Sequence, residues 1–175
     1  MIEIENRATM HAPAETVFRL AAHVEQWPHL LAHYRRVTLL ASRPEGLIVE
    51  MSAVRPPLPL PVRWRAIQTA NGGTGSIRYR HIGGVTRGMD VEWRIVSAAG
   101  TTEVTIVHRF APPWPWPGAW IARRIVCGFF VHAIAERTLT GIAYAAEHDD
   151  ALDSPTTNGD KGEAAPAEAR SMRTR

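Results

Sequence analysis

The sequence has very little cysteine and no hydrophobic run long enough to cross a membrane. Cys127 is the only cysteine among the 175 residues, which excludes a disulfide framework and any zinc site built on cysteines. The longest apolar run, residues 125–131, is far shorter than the roughly 18 residues that a bilayer span needs. The N-terminus also lacks the basic-then-apolar order of a secretory signal. We therefore expect a protein of the reduced cytoplasm.

Lysine is almost absent, since Lys161 is the only lysine among 20 basic residues. Residues 1–148 contain 16 arginines and 11 acidic residues, a charge of +5, whereas residues 149–175 contain four basic and six acidic residues, a charge of −2. The positive charge is spread along the chain and forms no cluster with aromatic platforms or a recognition helix, as nucleic-acid binding requires. We expect no nucleic-acid partner.

Residues 149–175 are also poor in large apolar side chains, with Leu152 and Met172 as the only ones. Such a segment cannot bury enough surface to offset the entropy lost on ordering. The sequence therefore predicts one folded domain over residues 1–148, followed by a disordered polar tail over residues 149–175.

Hydrophobic periodicity predicts a strand, two short helices, about six antiparallel strands and a long helix. Residues 2–5 alternate with a period of two, and residues 14–24 have apolar side chains at helical spacing after Pro13. Trp27-Pro28 interrupts this helix and begins a second, shorter one. Strands are predicted near residues 37–41, 47–53, 62–69, 76–82, 89–96 and 103–110, with residues 55–61 as a proline-rich connector. Residues 118–148, which follow the Pro-Trp segment 112–117 and lack proline, form the predicted long helix.

This order is typical of an α+β fold in which a curved antiparallel sheet wraps around the C-terminal helix and leaves an internal cavity. Alternation places arginines of the strands on the outer face of the sheet. The inner face combines aromatic and polar side chains, namely Trp64, Tyr79, Trp93, Gln68, His81 and His108. An apolar cavity with a few convergent polar groups is the usual form of a small-molecule site. The alternative is that the two histidines are core residues, bonded to each other, to the backbone or to water.

The long helix is apolar on nearly all sides from residue 125 to residue 135, where His132 is the only strongly polar residue. This pattern favours sheet contact on one side and either cavity lining, with Phe129 and His132, or a homodimer contact on the other. Trp114, Trp116 and Trp120 fit either a lid over the cavity or weak contact with a membrane.

His29 and His33 lie four residues apart and could in principle bind a metal. The sequence has no HExxH motif and no evident third ligand, so we expect both to be surface histidines and expect no metal site.

Four stretches resemble the START-like (SRPBCC) superfamily of helix-grip proteins, and most of all the bacterial polyketide aromatase/cyclases. They are HAPAETVFRLAAHVEQWPHLLAHY (11–34), VRWRAIQ (62–68), GMDVEWR (88–94) and EVTIVHRF (103–110). The resemblance covers roughly residues 1–148. It implies a helix-grip fold whose cavity holds a polyketide chain, cyclises it by an aldol-type reaction and dehydrates it without a cofactor, with an acyl carrier protein as a partner.

The resemblance also implies roles for individual residues. His108 matches a position at which some members have a candidate catalytic acid. Trp27 and Tyr34 match aromatics at the cavity mouth, and Trp64, Met89 and Trp93 match lining residues. The arginines that other members have in the cavity align here with Gln68 and His81, which with Tyr79 would bind ketones. Two other interpretations remain: a non-catalytic carrier of a hydrophobic lipid or quinone, and an interaction module without a ligand.

Overall fold

A computed structural model describes residues 1–55, 58–84, 86–111 and 131–148. The strands are β1 (Ile2–Met10), β2 (Tyr34–Arg43), β3 (Gly46–Arg55), β4 (Leu58–Asn71), β5 (Ser76–Gly84), β6 (Met89–Ala98) and β7 (Thr101–Phe110). The α-helices are α1 (Ala14–Ala22), α2 (Trp27–Leu30) and α3 (His132–Glu147). The predicted tail, the segment 112–117 and the first part of the predicted long helix lie outside the described residues.

The seven strands form one antiparallel sheet in the order β1-β7-β6-β5-β4-β3-β2. Each strand from β2 to β7 pairs with its neighbour in sequence, and β1 closes the arrangement by pairing with β7. Short turns between consecutive strands favour this meander. The α+β prediction, with a sheet that carries two short helices after its first strand and a helix after its last, is confirmed.

The hydrophobic core lies between the inner face of the sheet and the helices α1 and α3. The buried residues of the strands recur with a period of two, as in β5, where Ile77, Tyr79 and His81 are buried and Arg78 and Arg80 are exposed. On α3, residues such as Ile134, Leu139 and Ile142 are buried. The predicted inner and outer faces of the central strands are therefore confirmed. No helix among the described residues is long and apolar enough to cross a bilayer.

Two details of the sheet differ from what the sequence indicates. The strand predicted near residues 37–41 contains a register shift between Leu39 and Ala41, and Leu39 is 52% exposed on this edge strand although it lies opposite the buried Val49. The proline-rich connector is shorter than predicted, because β4 already begins at Leu58. The ladder between β3 and β4 is irregular after Ala53, and such a place tolerates proline.

Candidate functional site

A cavity lies between the inner face of the sheet and the first turns of α3. The volume of the cavity is about 70 Å³. Its described lining is apolar and aromatic, with a few polar groups. The lining residues are Trp27, Tyr34, Met51, Trp64, Tyr79, His81, Thr86, Met89, Val91, Trp93, Ile106, His108, Val131, Ile134, Ala135 and Thr138. None of these carries a formal charge near pH 7, because burial lowers the pKa of both histidines and keeps their rings neutral.

Aromatic rings form a continuous series along the wall of this cavity. Trp27 contacts Trp93 at 6.0 Å between ring centroids and Tyr34 at 4.9 Å. Tyr34 lies 6.1 Å from Trp64, whose ring is nearly parallel to that of His81 at 6.1 Å. Flat apolar ligands pack well against such rings, since stacked and edge-on arrangements are both favourable.

His81 is held at one end of this aromatic series. Its side chain is inward on β5 and only 8% of the residue is exposed. Its Nδ1 atom lies 2.7 Å from the hydroxyl of Thr86. Burial, with a smaller effect of His108, lowers the pKa of His81 to about 3, so the ring is neutral at physiological pH.

His108 lies on β7, opposite Ile4 of β1 and Val91 of β6. The Nδ1 atom is buried and has no hydrogen-bond partner among the described residues. Burial lowers the pKa of His108 to about 4, although hydrogen bonding between the protonated ring and the backbone of Ile4 would raise it. A neutral imidazole of this kind can donate one hydrogen bond and accept one proton.

A second polar cluster, which we call the Tyr34 cluster, consists of His33, Tyr34 and Thr138. His33 Nε2 lies 3.0 Å from the Thr138 hydroxyl, which donates to the carbonyl oxygen of Ile134 at 2.7 Å. His33 is only 8% exposed, so its assignment as a surface histidine is wrong, whereas His29 is exposed as expected. The sequence does carry a signal for Thr138, since it is four residues from both Ile134 and Ile142 on one helical face.

Gln68 is buried but is not among the described lining residues of the cavity. Its amide nitrogen donates to the carbonyl oxygen of Ala22 at 2.7 Å, at the end of α1. Tyr79 and Trp27, which do line the cavity, donate to the carbonyls of Ala21 and Leu20 at 3.4 and 3.0 Å. Carbonyls in the last turn of a helix lack intrahelical partners, so these three side chains together cap α1.

His132 also lies outside the cavity lining, since its side chain is 47% exposed. The two ring nitrogens contact the side chains of Asn6 at 2.8 Å and Glu136 at 3.0 Å. The helical phase explains the difference from prediction, because the cavity-facing positions of this turn are Val131, Ile134 and Ala135. Phe129 lies outside the described residues. Within the described ranges, no three histidine, cysteine or acidic side chains come together as a metal site.

The sequence matches a family model described as polyketide cyclase/dehydrase and lipid transport over residues 10–125. A comparison with curated proteins finds no match. The fold is similar to that of the Zhui aromatase/cyclase from Streptomyces sp. R1128, with a TM-score of 0.75, 18% identity, and coverage of 85% of this chain and 95% of that one. A Thermus thermophilus protein has a TM-score of 0.71 and 20% identity, with coverage of 87% of this chain and 100% of that one. A START superfamily protein from Mycobacterium smegmatis has a TM-score of 0.61 and 15% identity, with coverage of 86% of this chain and 98% of that one. These structures share the helix-grip fold.

Proposed function

We propose that this chain, which belongs to the polyketide cyclase/dehydrase and lipid transport family, binds a small ketone-bearing hydrophobic ligand and uses His108 to cyclise it. The observation that carries the proposal is the position of His108. It is a titratable side chain on the wall of an aromatic cavity, and its buried Nδ1 has no partner among the described residues. Buried polar atoms are normally hydrogen-bonded, and a ring nitrogen without such a bond is free to exchange a proton with a ligand.

The reaction would be an intramolecular aldol condensation. The neutral His108 removes a proton from a carbon between two ketones, and the resulting enolate carbon forms a bond to a second ketone carbon of the same ligand. The oxygen of that ketone takes the proton back from the imidazolium. This hydroxyl then leaves as water with a proton from the neighbouring carbon, and a carbon–carbon double bond remains. The aromatic wall supports the folding of the ligand, since orientation lowers the barrier of such a reaction.

A reconstituted polyketide synthase assay tests this role. Replacing His108 with Gln keeps a polar side chain but removes the acid–base group, so we expect the cyclised product to form about 10² to 10⁴ times more slowly. His148→Gln, an exposed histidine at the end of α3, is the matched control and should behave as wild type. An unchanged product distribution with His108→Gln would rule out the acid–base role.

The alternative is a non-catalytic carrier of a neutral lipid or quinone. The absence of charged side chains from the described lining favours this candidate, because a charged group would otherwise polarise a ketone. Gln68, at a position where the resemblance implies a cavity arginine, bonds to α1 instead. Vesicle-to-vesicle transfer of a fluorescent quinone, combined with wild-type product profiles in the His108→Gln variant, would favour the carrier over the cyclase.

A poly-ketone substrate would arrive bound to an acyl carrier protein, which is an acidic partner. The outer face of β2, β3 and β4 supports such a contact. Arg36 and Arg63 both lie opposite Ser52, and Arg65 lies opposite Glu50, so three arginines surround one carboxylate. Charge complementarity of this kind raises the rate of association.

A further inference from the structure

Three polar side chains connect the start of α3 to β1, and the proposed reaction does not use them. We call them the Asn6 triad (Asn6, His132 and Glu136). Asn6 Nδ2 lies 2.8 Å from His132 Nδ1, and His132 Nε2 lies 3.0 Å from Glu136 Oε1. Asn6 is only 5% exposed, whereas Glu136 is exposed. The triad therefore leads from the surface of α3 to the interior of the protein.

The carboxylate of Glu136 fixes the direction of both hydrogen bonds in the triad. A carboxylate only accepts, so the hydrogen of the neutral His132 ring is on Nε2, which donates to Glu136. Nδ1 of the same ring then has a lone pair and must accept. Of the two ends of an amide only the nitrogen donates, so the nitrogen of Asn6 faces His132 and its oxygen faces away.

The Asn6 Oδ1 atom is therefore an acceptor that still needs a donor. It is buried and has no hydrogen-bond partner among the described residues. Turning the amide over would not help, because two acceptors, Oδ1 and the lone pair of His132 Nδ1, would then face each other. Buried polar atoms of proteins are normally hydrogen-bonded, to a protein group or to a bound molecule.

Asn6 borders the cavity on the side of β1. It lies opposite Ile106 in the ladder between β1 and β7 and diagonal to His108, while its partner His132 directly follows Val131. Ile106, His108 and Val131 all line the cavity. Diagonal residues of such a ladder are about 7–8 Å apart, a separation that one bound oxygen atom can bridge between two side chains. The Nδ1 atom of His108 is the second buried atom here without a described partner.

We infer that Asn6 Oδ1 and His108 Nδ1 together hold a hydroxyl group of the ligand, with Asn6 as the acceptor of its hydrogen bond, so that the cavity selects a hydroxylated aromatic compound over its methyl ether. This inference rests on the proposed ligand-binding function of the cavity. His132 and Glu136 are positioning residues in it, since they act by fixing the amide of Asn6. In the proposed reaction, this place fits the hydroxyl that forms on the attacked ketone carbon and then leaves as water.

Two probes of the same ring system, 2-naphthol and 2-methoxynaphthalene, separate a donor from an acceptor. Both can accept a hydrogen bond, but only the naphthol can donate one. In isothermal titration calorimetry at about pH 8, where an ordinary imidazole is neutral, we expect wild type to bind 2-naphthol about 10-fold more tightly. Asn6→Leu removes the acceptor at similar volume, so the ratio of the two dissociation constants should fall to near one.

Glu136→Lys gives a sharper test because it reverses the triad from the surface. An ammonium group only donates, so His132 Nε2 must accept, the ring hydrogen moves to Nδ1, and Asn6 turns its oxygen toward the ring. The amide nitrogen is then free to donate to an ether oxygen, so 2-methoxynaphthalene should bind more tightly to this variant than to wild type. Thr140→Lys is the matched control, since it adds a lysine one turn later on the exposed face of α3. It should leave the ratio unchanged.

The outcomes distinguish this inference from the proposed function. If neither probe binds wild type, the proposed hydrophobic site fails. If both probes bind wild type equally, the hydroxyl site is wrong while the proposed function stands. The same holds if the preference for 2-naphthol persists in Glu136→Lys, because it would then reflect the size of the methyl group. This variant decides the question even if Asn6→Leu does not fold, since Glu136 is exposed.

Discussion

The buried side chain of Gln68 hydrogen-bonds to the C-terminal end of helix α1 and does not line the cavity. Its side-chain nitrogen satisfies the Ala22 carbonyl at 2.7 Å and approaches the Tyr79 hydroxyl at 3.4 Å. The residue is only 2% exposed, so no solvent molecule can replace these bonds without a rearrangement. A residue that the sequence nominates for ketone binding thus has a structural contact that explains its polarity.

Replacing Gln68 with Leu should lower the free energy of unfolding by about 1–3 kcal/mol, because it leaves a buried carbonyl of α1 without its partner. Urea denaturation measures this loss, and Thr69→Ser on the exposed side of the same strand provides the control. The affinity for 2-naphthol, a small aromatic probe of the cavity, should change little. A collapse of that affinity at unchanged stability would instead place Gln68 in the binding site.

Helix α3 packs closely against the segment after α2 at Gly141. A Cβ atom built on Gly141 would overlap Cδ2 of Leu31, which is itself almost fully buried. The glycine therefore permits a close contact between α3 and this segment.

Gly141→Ala should destabilise the protein although alanine favours helices. The propensity gain is about 1 kcal/mol, whereas forcing an extra methyl group into a packed interior costs typically about 1–3 kcal/mol. We expect a lower melting temperature in calorimetry and a partial recovery in the Gly141→Ala/Leu31→Val double variant. A melting temperature above that of wild type would show that Leu31 rearranges around the methyl group without loss of stability.

The order of the elements was predictable from sequence because apolar residues recur every second position in the strands and every three to four positions in the helices. The inward placement of His81 and His108 follows from the same alternation, since Ile77, Tyr79, Val104 and Ile106 fix the buried face of their strands. Alternation shows which face a side chain occupies but not which atom it bonds to. The capping role of Gln68 and the burial of His33 depend on contacts with α1 and α3, which are distant in sequence. The register shift in β2 between Leu39 and Ala41 also has no glycine or other sequence signal that would predict it.

Three histidines whose pKa is lowered by burial make the stability of the protein sensitive to acid. Burial lowers the pKa of His33 and His108 to about 4 and that of His81 to about 3, against an ordinary value of 6.5. Below about pH 6.5 these histidines therefore bind protons in the unfolded chain but stay neutral in the folded chain. The stability that these groups provide is complete above that pH and is lost progressively between about 6.5 and 4.

We expect the free energy of unfolding to fall as the pH is lowered from about 6.5 to 4, by roughly 1 kcal/mol per pH unit for each histidine that stays neutral in the folded chain. Urea titrations at several pH values measure the slope, and His148→Gln, which alters an exposed histidine, should leave it unchanged. A stability that stays constant down to pH 4.5 would mean that the three rings are not buried as neutral groups.

The central claim is that a hydrophobic ligand binds inside the cavity beside His108, and NMR of the histidine side chains tests it most directly. In a chain labelled at its imidazole nitrogens, addition of 2-naphthol should shift the signals of His81 and His108 in a saturable manner. The exposed His11 and His148 should not respond. Shifts confined to the exposed histidines, with His108 unmoved at saturating probe, would contradict the account.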